Sequence, residues 1–302
     1  MRVLVTGVTG QIGGALVSRL AGEHELIAAA RDSLDLSVPA AIAGRLDELA
    51  PELIINPAAY TAVDRAEDEH DLAFRINAEA PGAIARWAAE RRVPLIHFST
   101  DYVYDGSGTR PWREDDPTGP LSVYGASKLA GEDAVRATSA PHLIVRTSWV
   151  YAARGANFLR TIARLARERA ELRVVADQIG APTSAQLIAD AVAAILALPG
   201  TSLADRFAAV DGLVNLSASG ETSWHAFAVV IIEGLRARDV RLAAERVASI
   251  TTAEYPTKAT RPANSRLDLT RLAKGFNITT ARWNVALATE LDRLVRELSK
   301  TN

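Results

Sequence analysis

The feature that most constrains this fold is a repeated alternation of short apolar runs with longer helical stretches in the first half of the chain. The runs lack alternation of polar and apolar residues, so each predicts a strand buried on both faces. These strands are predicted at Arg2–Thr6, Leu26–Ala30, Leu53–Asn56, Leu95–Ser99 and His142–Thr147. Helices are predicted between them at Gln11–Leu20, Ala40–Leu49, Asp71–Arg91 with a break near Pro81 and Gly82, and Ser122–Arg136. This order predicts an α/β fold with a doubly wound parallel sheet of the Rossmann type.

The alternation loosens after Trp149. Helices are predicted over 157–169, 185–198 and 223–236, with a strand over 172–176. We expect a dinucleotide-binding domain of residues 1–150 plus roughly 172–200, and a smaller α/β substrate-binding lobe of roughly 151–171 and 210–302. The lobe is expected to close over the carboxyl edge of the sheet, where open α/β sheets bind ligands. Residues 201–213 receive no role.

Composition excludes several classes of function. The net charge of −2 over 302 residues gives no basic field for nucleic acid or anionic lipid. No cysteine is present, which excludes disulfides, thiolate nucleophiles and cysteine-ligated zinc. No apolar run reaches the ~20 residues of a membrane helix, and the first residues resemble a strand and turn rather than a signal peptide. We therefore expect a cytoplasmic protein with neither nucleic-acid nor membrane partners.

A glycine turn, GVTGQIG, follows the first strand and opens the first helix. Gly7 would make the tight turn, Gly10 would admit a pyrophosphate, and Gly13 would let helix and strand pack closely. The pyrophosphate is expected on Gly10, Gln11 and Ile12. The spacing is G-x-x-G-x-x-G, and a glycine turn that binds no ligand is the alternative.

The choice of cofactor is predicted from the end of the second strand. Ala30 occupies the position where an acidic residue would bind a ribose 2′-hydroxyl, and Arg31 follows it. Arg31 can pair with a 2′-phosphate, which favours NADPH, with NADH possible if a shift of one residue moves Asp32 into the acidic position. An ordinary exposed arginine is the alternative for Arg31. Asp35 and Leu36 would then lie near the adenine.

Tyr124 and Lys128, in the stretch YGASKLAGE, are four residues apart and therefore share one face of a helix. A hydride reductase needs a proton donor for the carbonyl oxygen. Tyrosine can donate, and a cation one turn away is expected to lower its pKa. Thr100, at the end of the fourth strand, is the candidate that would polarise the carbonyl, with Ser99 as the alternate. The alternative for the pair is a surface contact.

Longer motifs accompany these residues across nearly the whole chain: NPAAYTAVDRAE, STDYVYDG, SVYGASKLAGE, RTSWVYA, DQIGAPT, TSWHAFA and RPANSRLD. Together they resemble the extended short-chain dehydrogenases and, among them, the dTDP-4-dehydrorhamnose reductase family. The resemblance implies NAD(P)H-dependent reduction of a dTDP-4-keto-6-deoxyhexose at C4, giving dTDP-L-rhamnose. Other interpretations are a reductase of another dTDP-4-keto-deoxysugar, a non-catalytic NADP-binding regulatory subunit, and a 4,6-dehydratase or epimerase.

The resemblance also implies roles for individual residues. Thr100, Tyr124 and Lys128 would form the catalytic trio, and Ala58 and Ala59 would pack beside the nicotinamide. The sugar would contact Val63, Asp64, Asp101, Tyr102 and Trp149, and the second lobe would contribute Arg261, Asn264 and Ser265. A structural role remains the alternative for several of them: a core aromatic for Trp149, a cap or turn for Asp64 and Asp101, and a surface ion pair for Arg261.

Two departures from the family concern a metal. Some members form dimers bridged by a magnesium ion that glutamates hold, whereas this chain has Ala15 and Gln186 at the matching positions. Neither residue offers the carboxylate that hard divalent cations prefer. We therefore expect no metal site and no metal-bridged dimer.

Overall fold

The structure is a computed structural model that describes residues 1–299. Its strands are β1 Arg2–Thr6, β2 Glu25–Ala29, β3 Leu53–Asn56, β4 Leu95–Thr100, β5 His142–Thr147, β6 Val150–Tyr151, β7 Glu171–Val175, β8 Ile179–Gly180, β9 Thr183–Ser184, β10 Leu213–Asn215, β11 Thr222–Ser223 and β12 Arg246–Ile250. Its helices are α1 Gln11–Leu20, α2 Pro39–Leu49, α3 Val63–Ala66, α4 His70–Phe74, α5 Ala80–Arg91, α6 Val123–Arg136, α7 Phe158–Glu168, α8 Ala185–Ala197, α9 Leu203–Ala208, α10 Trp224–Arg236, α11 Thr270–Phe276 and α12 Trp283–Leu298.

The central sheet has six parallel strands in the order β2-β1-β3-β4-β5-β10. Side chains of β1 alternate between its faces, so that Val3 and Val5 pack under α1 and α8 while Leu4 packs under α2 and α5. Full burial of each such side chain contributes roughly 1.5–3 kcal/mol. Helices cover both faces, which confirms the predicted doubly wound parallel sheet.

A second apolar cluster lies outside the central sheet. α10 packs between α7 and α12, and these helices cover the two-stranded parallel sheet of β7 and β12. Phe227 of α10 is fully buried against Tyr151 and Trp283. This cluster forms the core of a smaller lobe beside the carboxyl edge of the large sheet.

Helix α6 is held by one contact with the sheet and two with Asn77 of the turn between α4 and α5. The Arg146 guanidinium of β5 donates to both carboxylate oxygens of Glu132, at 2.8 and 2.6 Å. Gly131 lies against Asn77, so closely that a Cβ there would be 2.0 Å from the Asn77 carbonyl oxygen. Asn77 also donates to the Ser127 hydroxyl at 2.9 Å. These contacts fix the height of α6 above the strand ends.

The third predicted helix, Asp71–Arg91, departs from regular α-helical geometry at a different place from the one predicted. It runs without a break from α4 to α5 through a π turn, Arg75–Glu79, and the break predicted near Pro81 and Gly82 is wrong. Pro81 has no N–H to donate to the carbonyl four residues earlier, at Asn77, and the helix widens in that stretch. β2 also ends one residue earlier than predicted, at Ala29.

Two segments lie outside the parts of the chain to which the sequence assigned them. β10 comes from the expected substrate-binding lobe but forms an edge of the central sheet, with Val214 beside Val145. β7 comes from the segment 172–200 but pairs with β12 in the smaller lobe. Residues 201–213, which had no assigned role, contain α9, which packs near β5 and leads into β10.

Two glycine-to-alanine substitutions test the packing of α6. Gly44 lies in α2, and no atom lies within 4 Å of the position that a Cβ would take there. Gly44→Ala should therefore stabilise the fold by up to about 1 kcal/mol through helix propensity. Gly131→Ala meets the Asn77 carbonyl and should destabilise the fold by about 2 kcal/mol or more. Urea unfolding followed by circular dichroism measures both. Equal stability of the two variants would contradict this packing.

Candidate active site

The strand order reverses direction between β1 and β3, the place where open parallel sheets bind ligands at their carboxyl edge. Gly7 follows β1 in a left-handed conformation, with φ +57°, and Ala58 follows β3. A Cβ on Gly7 would lie 2.9 Å from the Ala58 Cα, so only glycine fits this turn. Ala59, the next residue, is half-buried at the same edge. The two turns thus form the floor of a ligand crevice.

The glycine turn presents the N-terminus of α1 to this crevice. No side chain caps the helix at Gly10, so its first backbone N–H groups, which include those of Gln11 and Ile12, suit an anion. A Cβ on Gly13 would lie 2.3 Å from the Gly7 carbonyl oxygen, which explains the third glycine. The Gln11 side chain accepts a hydrogen bond from Asn157 at 2.9 Å and so links the turn to the smaller lobe.

The end of β2 places an arginine in solvent. The Arg31 side chain is 76% exposed and lies 3.6 Å from the Asp35 carboxylate. Asp35 also accepts hydrogen bonds from the backbone and hydroxyl of Ser37, which lower its pKa. Leu36 is 6% exposed and packs in the apolar core, where it offers little surface to an adenine. Asp32 is exposed in the turn that follows Ala29.

Tyr124 and Lys128 lie one turn apart near the start of α6, which the Ser122 hydroxyl caps. Burial raises the pKa of Tyr124 to about 12, and a hydrogen bond with Thr100 opposes that rise. Burial lowers the pKa of Lys128 to about 8, and Glu132 opposes that fall. Burial, the Thr100 hydrogen bond and the Asp101 charge thus set the pKa of Tyr124, and the expected lowering of that pKa by the lysine is wrong. Tyr124 is a protonated phenol at neutral pH.

Thr100 and Asp101 lie where β4 ends, next to Tyr124. The Thr100 hydroxyl donates to the Asp101 carboxylate at 3.1 Å and accepts from the Tyr102 backbone at 3.3 Å. Asp101 is 2% exposed, and burial raises its pKa to about 7, although the hydroxyls of Ser265 and Thr100 oppose the rise. Ser265 belongs to the C-terminal third of the chain, so this carboxyl group lies where the two parts meet.

The segment that contains Arg261 is fastened to α3. The Arg261 guanidinium donates from Nη2 to the Asp64 carboxylate at 2.7 Å, and the same carboxylate accepts from the Ala259 backbone at 3.1 Å. Nη1 of Arg261 is buried and has no hydrogen-bond partner among residues 1–299. Val63, the first residue of α3, is half-buried beside this pair. A positive donor group thus remains available for an anionic ligand.

Asn264 is expected to contact a ligand, and in the structure its side chain forms hydrogen bonds with other residues of the protein. It is 2% exposed, its amide nitrogen donates to the carbonyls of Ser107 and Arg110, and its oxygen accepts from Arg266. These bonds use the polar groups of the Asn264 side chain. Asn264 therefore holds the 107–110 loop, and the ligand contact expected of it stays a prediction.

Aromatic side chains also lie near the carboxyl edge of the sheet. Trp149, in a left-handed conformation with φ +49°, stacks on Trp224 with ring centroids 3.6 Å apart. Its other neighbour is Gly180, where a Cβ would lie 2.6 Å from the indole ring. The Tyr102 ring meets the Tyr124 ring edge to face at 5.5 Å. Trp149 is thus half-buried between elements of the smaller lobe rather than enclosed in the core.

Several residues of this edge were missed by sequence reasoning. The hydroxyls of Thr147 and Ser148, at the end of β5, are buried and have no hydrogen-bond partner among residues 1–299. Thr147 lies beside Thr100 in the sheet register. The available signal was their place after a buried parallel strand, the same signal that identified Thr100. Trp224 was visible only within the motif TSWHAFA.

Of the two positions discussed for a metal, Ala15 and Gln186, the second contacts an arginine. Arg293 donates to the Gln186 side chain at 3.1 Å and to the Glu290 carboxylate at 2.7 Å. These three residues and Ala15 line one cavity, whose volume is about 650 Å³. Within residues 1–299, no group of three or more His, Asp or Glu side chains could hold a metal ion. In the same range, no helix is both long and apolar enough to cross a membrane.

Comparison with known proteins gives a consistent result over the whole chain. The model of the RmlD substrate binding domain family matches residues 1–296. The dTDP-4-dehydrorhamnose reductase of Burkholderia thailandensis is 45% identical over 293 residues, which are 95% of this chain and 97% of the relative. That of Escherichia coli K12 is 43% identical over 298 residues, 97% and 98% of the two chains.

Solved structures of two such reductases have the same fold. The protein from Clostridium acetobutylicum superposes with a TM-score of 0.87 at 36% identity, covering 97% of this chain and 99% of its own. The protein from Bacillus anthracis, solved in complex with NADP, gives 0.85 at 32% identity, covering 98% and 99%.

The raised pKa of Asp101 predicts how the free energy of unfolding depends on pH. In the unfolded chain the carboxyl group ionises near pH 4, but in the folded protein only near pH 7. Folding therefore carries no penalty from Asp101 below pH 4, and the penalty grows by up to about 1.4 kcal/mol per pH unit until pH 7. Asp101→Asn should match the wild type at pH 4 and be more stable at pH 8. Urea unfolding at both pH values measures this, and an equal effect at both would contradict the assignment.

Proposed function

Because the chain belongs to the RmlD substrate binding domain family, whose relatives above are dTDP-4-dehydrorhamnose reductases, we propose that it reduces dTDP-4-dehydro-6-deoxy-L-mannose to dTDP-L-rhamnose with NADPH. The observation that carries this proposal is Tyr124, which is hydrogen-bonded to Thr100 and lies one helical turn before Lys128 at the carboxyl edge of a parallel sheet, with a pKa that burial raises to about 12. Such an arrangement suits proton transfer to a carbonyl oxygen.

The chain supplies the proton chemistry of this reaction. Bound NADPH supplies the hydride to C4 of the sugar. Tyr124, which burial keeps protonated, donates its proton to the C4 oxygen. The Lys128 ammonium favours the tyrosinate that results, because an opposite charge stabilises the ionised form. The Thr100 hydroxyl, which donates to Asp101 in the structure, would turn to donate its hydrogen bond to the same oxygen when the sugar is bound.

The crevice fits the cofactor at three places. The uncapped N-terminus of α1 suits the pyrophosphate, and the Gly7 turn lets the backbone approach closely. Ala58 and Ala59 leave room beside the strand ends for the nicotinamide. Among residues 1–299, Arg31 pairs only with Asp35, a surface contact of small energy that a 2′-phosphate can replace. Ala30, rather than Asp32, follows the last residue of β2 and leaves no carboxylate there.

The sugar nucleotide lies between the two parts of the chain. Arg261 Nη1, which has no hydrogen-bond partner among residues 1–299, would donate to the diphosphate, and Asp64 fixes the orientation of the guanidinium. Val63, Asp101, Tyr102 and Ser265 line the sugar, with Trp149 at the margin. The pyrophosphate of a nucleotide sugar needs such a fixed cation, because arginine recognises phosphate through its rigid planar fork.

The site needs no metal in this proposal. Arg293 already neutralises Glu290 where a cation would be required, so we expect no bridging ion and no dimer that depends on one. We also place the reaction in the cytoplasm, where sugar nucleotides and NADPH are available, and expect neither nucleic-acid nor membrane partners.

Arg31→Ala tests the cofactor. Loss of the guanidinium should weaken NADPH binding on the order of 10-fold, since hydrogen bonds to charged groups contribute about 1.5–3 kcal/mol, and should leave NADH binding nearly unchanged. Fluorescence titration with each cofactor measures this. Asp32→Ala is the matched control and should change neither affinity. Weaker NADH binding in Asp32→Ala would support the alternative register.

Tyr124→Phe tests the proton donor. The variant should lose about 100-fold or more in kcat, the range for general acid catalysis, and should still bind NADPH. Tyr60→Phe is the matched control, because the Tyr60 hydroxyl donates to Glu69 away from Thr100. NADPH oxidation with the 4-keto sugar measures turnover. A Tyr124→Phe enzyme with kcat near that of Tyr60→Phe would exclude Tyr124 as the donor.

A further inference from the structure

A row of buried polar side chains crosses the carboxyl half of the central sheet. Thr6 of β1, Asn56 of β3, His97 of β4 and Lys128 of α6 are each at most 2% exposed. Asn56 and His97 are partners in the sheet register. The row joins the glycine turn to the catalytic helix, and sequence reasoning treated its three strand residues only as parts of apolar runs.

Short contacts connect the members. The Thr6 hydroxyl donates to Oδ1 of Asn56 at 2.6 Å, and Nδ2 of the same amide lies 3.1 Å from Nδ1 of His97. Nε2 of His97 lies 3.3 Å from Nζ of Lys128. At the other end, the Ala58 backbone donates to the Thr6 hydroxyl at 3.3 Å. The row therefore reaches from Lys128 to the turn that we assign to the nicotinamide.

The two proton-bearing members have definite states. Burial, and then the Lys128 charge, hold the pKa of His97 well below its ordinary value, so the imidazole is neutral. A neutral imidazole has one donor nitrogen and one acceptor nitrogen. An ammonium has only donors, so Nε2 must be the acceptor towards Lys128. Nδ1 then carries the hydrogen, which requires the Asn56 amide to be turned end for end from the orientation above, an exchange that its shape allows. Its oxygen then accepts from Nδ1 of His97 and its nitrogen donates to the Thr6 hydroxyl.

We propose that His97 is a positioning residue for Lys128. Its Nε2 accepts one N–H of the ammonium, the Phe98 carbonyl accepts a second at 2.7 Å, and the third is left for cofactor and substrate. This inference rests on the proposed function for its catalytic meaning, but its geometry concerns only the protein. The acceptor stabilises the charged lysine inside the protein, since a hydrogen bond to an ionised form favours that form.

Other ionisable groups also act on Lys128 and are held constant in the test. Glu132, one turn further along α6, raises the lysine pKa and is itself paired with Arg146. His142, on β5, acts on His97. Tyr124 lies one turn before Lys128 on the same helix. A substitution confined to His97 leaves all of these in place.

Two substitutions by amide residues test the two ring nitrogens of His97 separately. In His97→Asn the short amide can reach Asn56 but not Lys128, whereas in His97→Gln the longer amide can reach Lys128. The chain has four lysines, Lys128, Lys258, Lys274 and Lys300, so ¹³C-labelled lysine gives few signals, and the one lost in Lys128→Arg identifies Lys128. The pH titration of that signal gives the Lys128 pKa without any turnover.

We expect the Lys128 pKa in His97→Asn to fall by about one unit relative to the wild type, and that in His97→Gln to stay near it. The kcat should fall on the order of 10-fold in His97→Asn and recover in His97→Gln. Equal lysine pKa values in the two variants would overturn the proposal. An inactive wild type with the expected lysine shifts would instead refute the proposed reaction and leave this role of His97 intact.

A measurement on the unmodified protein keeps the proposal falsifiable if His97→Asn does not fold. The chain has five histidines, and long-range ¹H–¹⁵N spectra distinguish which ring nitrogen of each carries the hydrogen. The proposal requires hydrogen on Nδ1 of His97 and a bare Nε2. The signal that disappears in His97→Gln identifies His97. Hydrogen on Nε2 would overturn the proposal, because that nitrogen could not then accept from Lys128.

Discussion

The seating of α6 on the sheet is the interaction on which the rest of the site depends. Arg146 is fully buried and forms a two-point ion pair with Glu132, and removal of one partner of such a pair costs about 3–5 kcal/mol. Gly131 lets the helix approach the Asn77 carbonyl closely. Tyr124, about two turns earlier on the same helix, reaches the strand ends only because these contacts fix the height and rotation of the helix. The catalytic geometry is thus a consequence of packing several residues away.

Burial sets the protonation states that the proposed reaction requires. It raises the pKa of Tyr124 to about 12 and keeps the phenol ready to donate, and it lowers that of Lys128 to about 8, which still leaves most of the ammonium charged at neutral pH. The same desolvation raises the pKa of Asp101 to about 7. The site therefore gains a proton donor at some cost in stability. The hydrogen bond that Thr100 donates to Asp101, and those that Phe98 and His97 accept from Lys128, limit that cost.

The sequence predicts the sheet and the catalytic helix well, because apolar runs and i, i+4 spacing are local signals. Thr100, Tyr124 and Lys128 all lie at one edge as expected. Contacts between distant segments were not predictable: β10 joins the sheet only through its pairing with β5, and Leu36 turns into the core. Asn264 has the residue type of a ligand contact but uses its amide to hold a loop. The contacts of such residues depend on which segments the fold brings next to them. Local sequence patterns do not contain that information.

The most direct measurement of the proposed activity uses the wild-type protein, NADPH and dTDP-4-keto-6-deoxyglucose, with and without the 3,5-epimerase that forms the L-lyxo isomer. NADPH oxidation is followed by absorbance, and the product is identified by chromatography against dTDP-L-rhamnose. We predict oxidation only when the epimerase is present, with dTDP-L-rhamnose formed in equal amount. Equal oxidation without the epimerase, or none with it in a protein that binds NADPH, would contradict the proposed reaction.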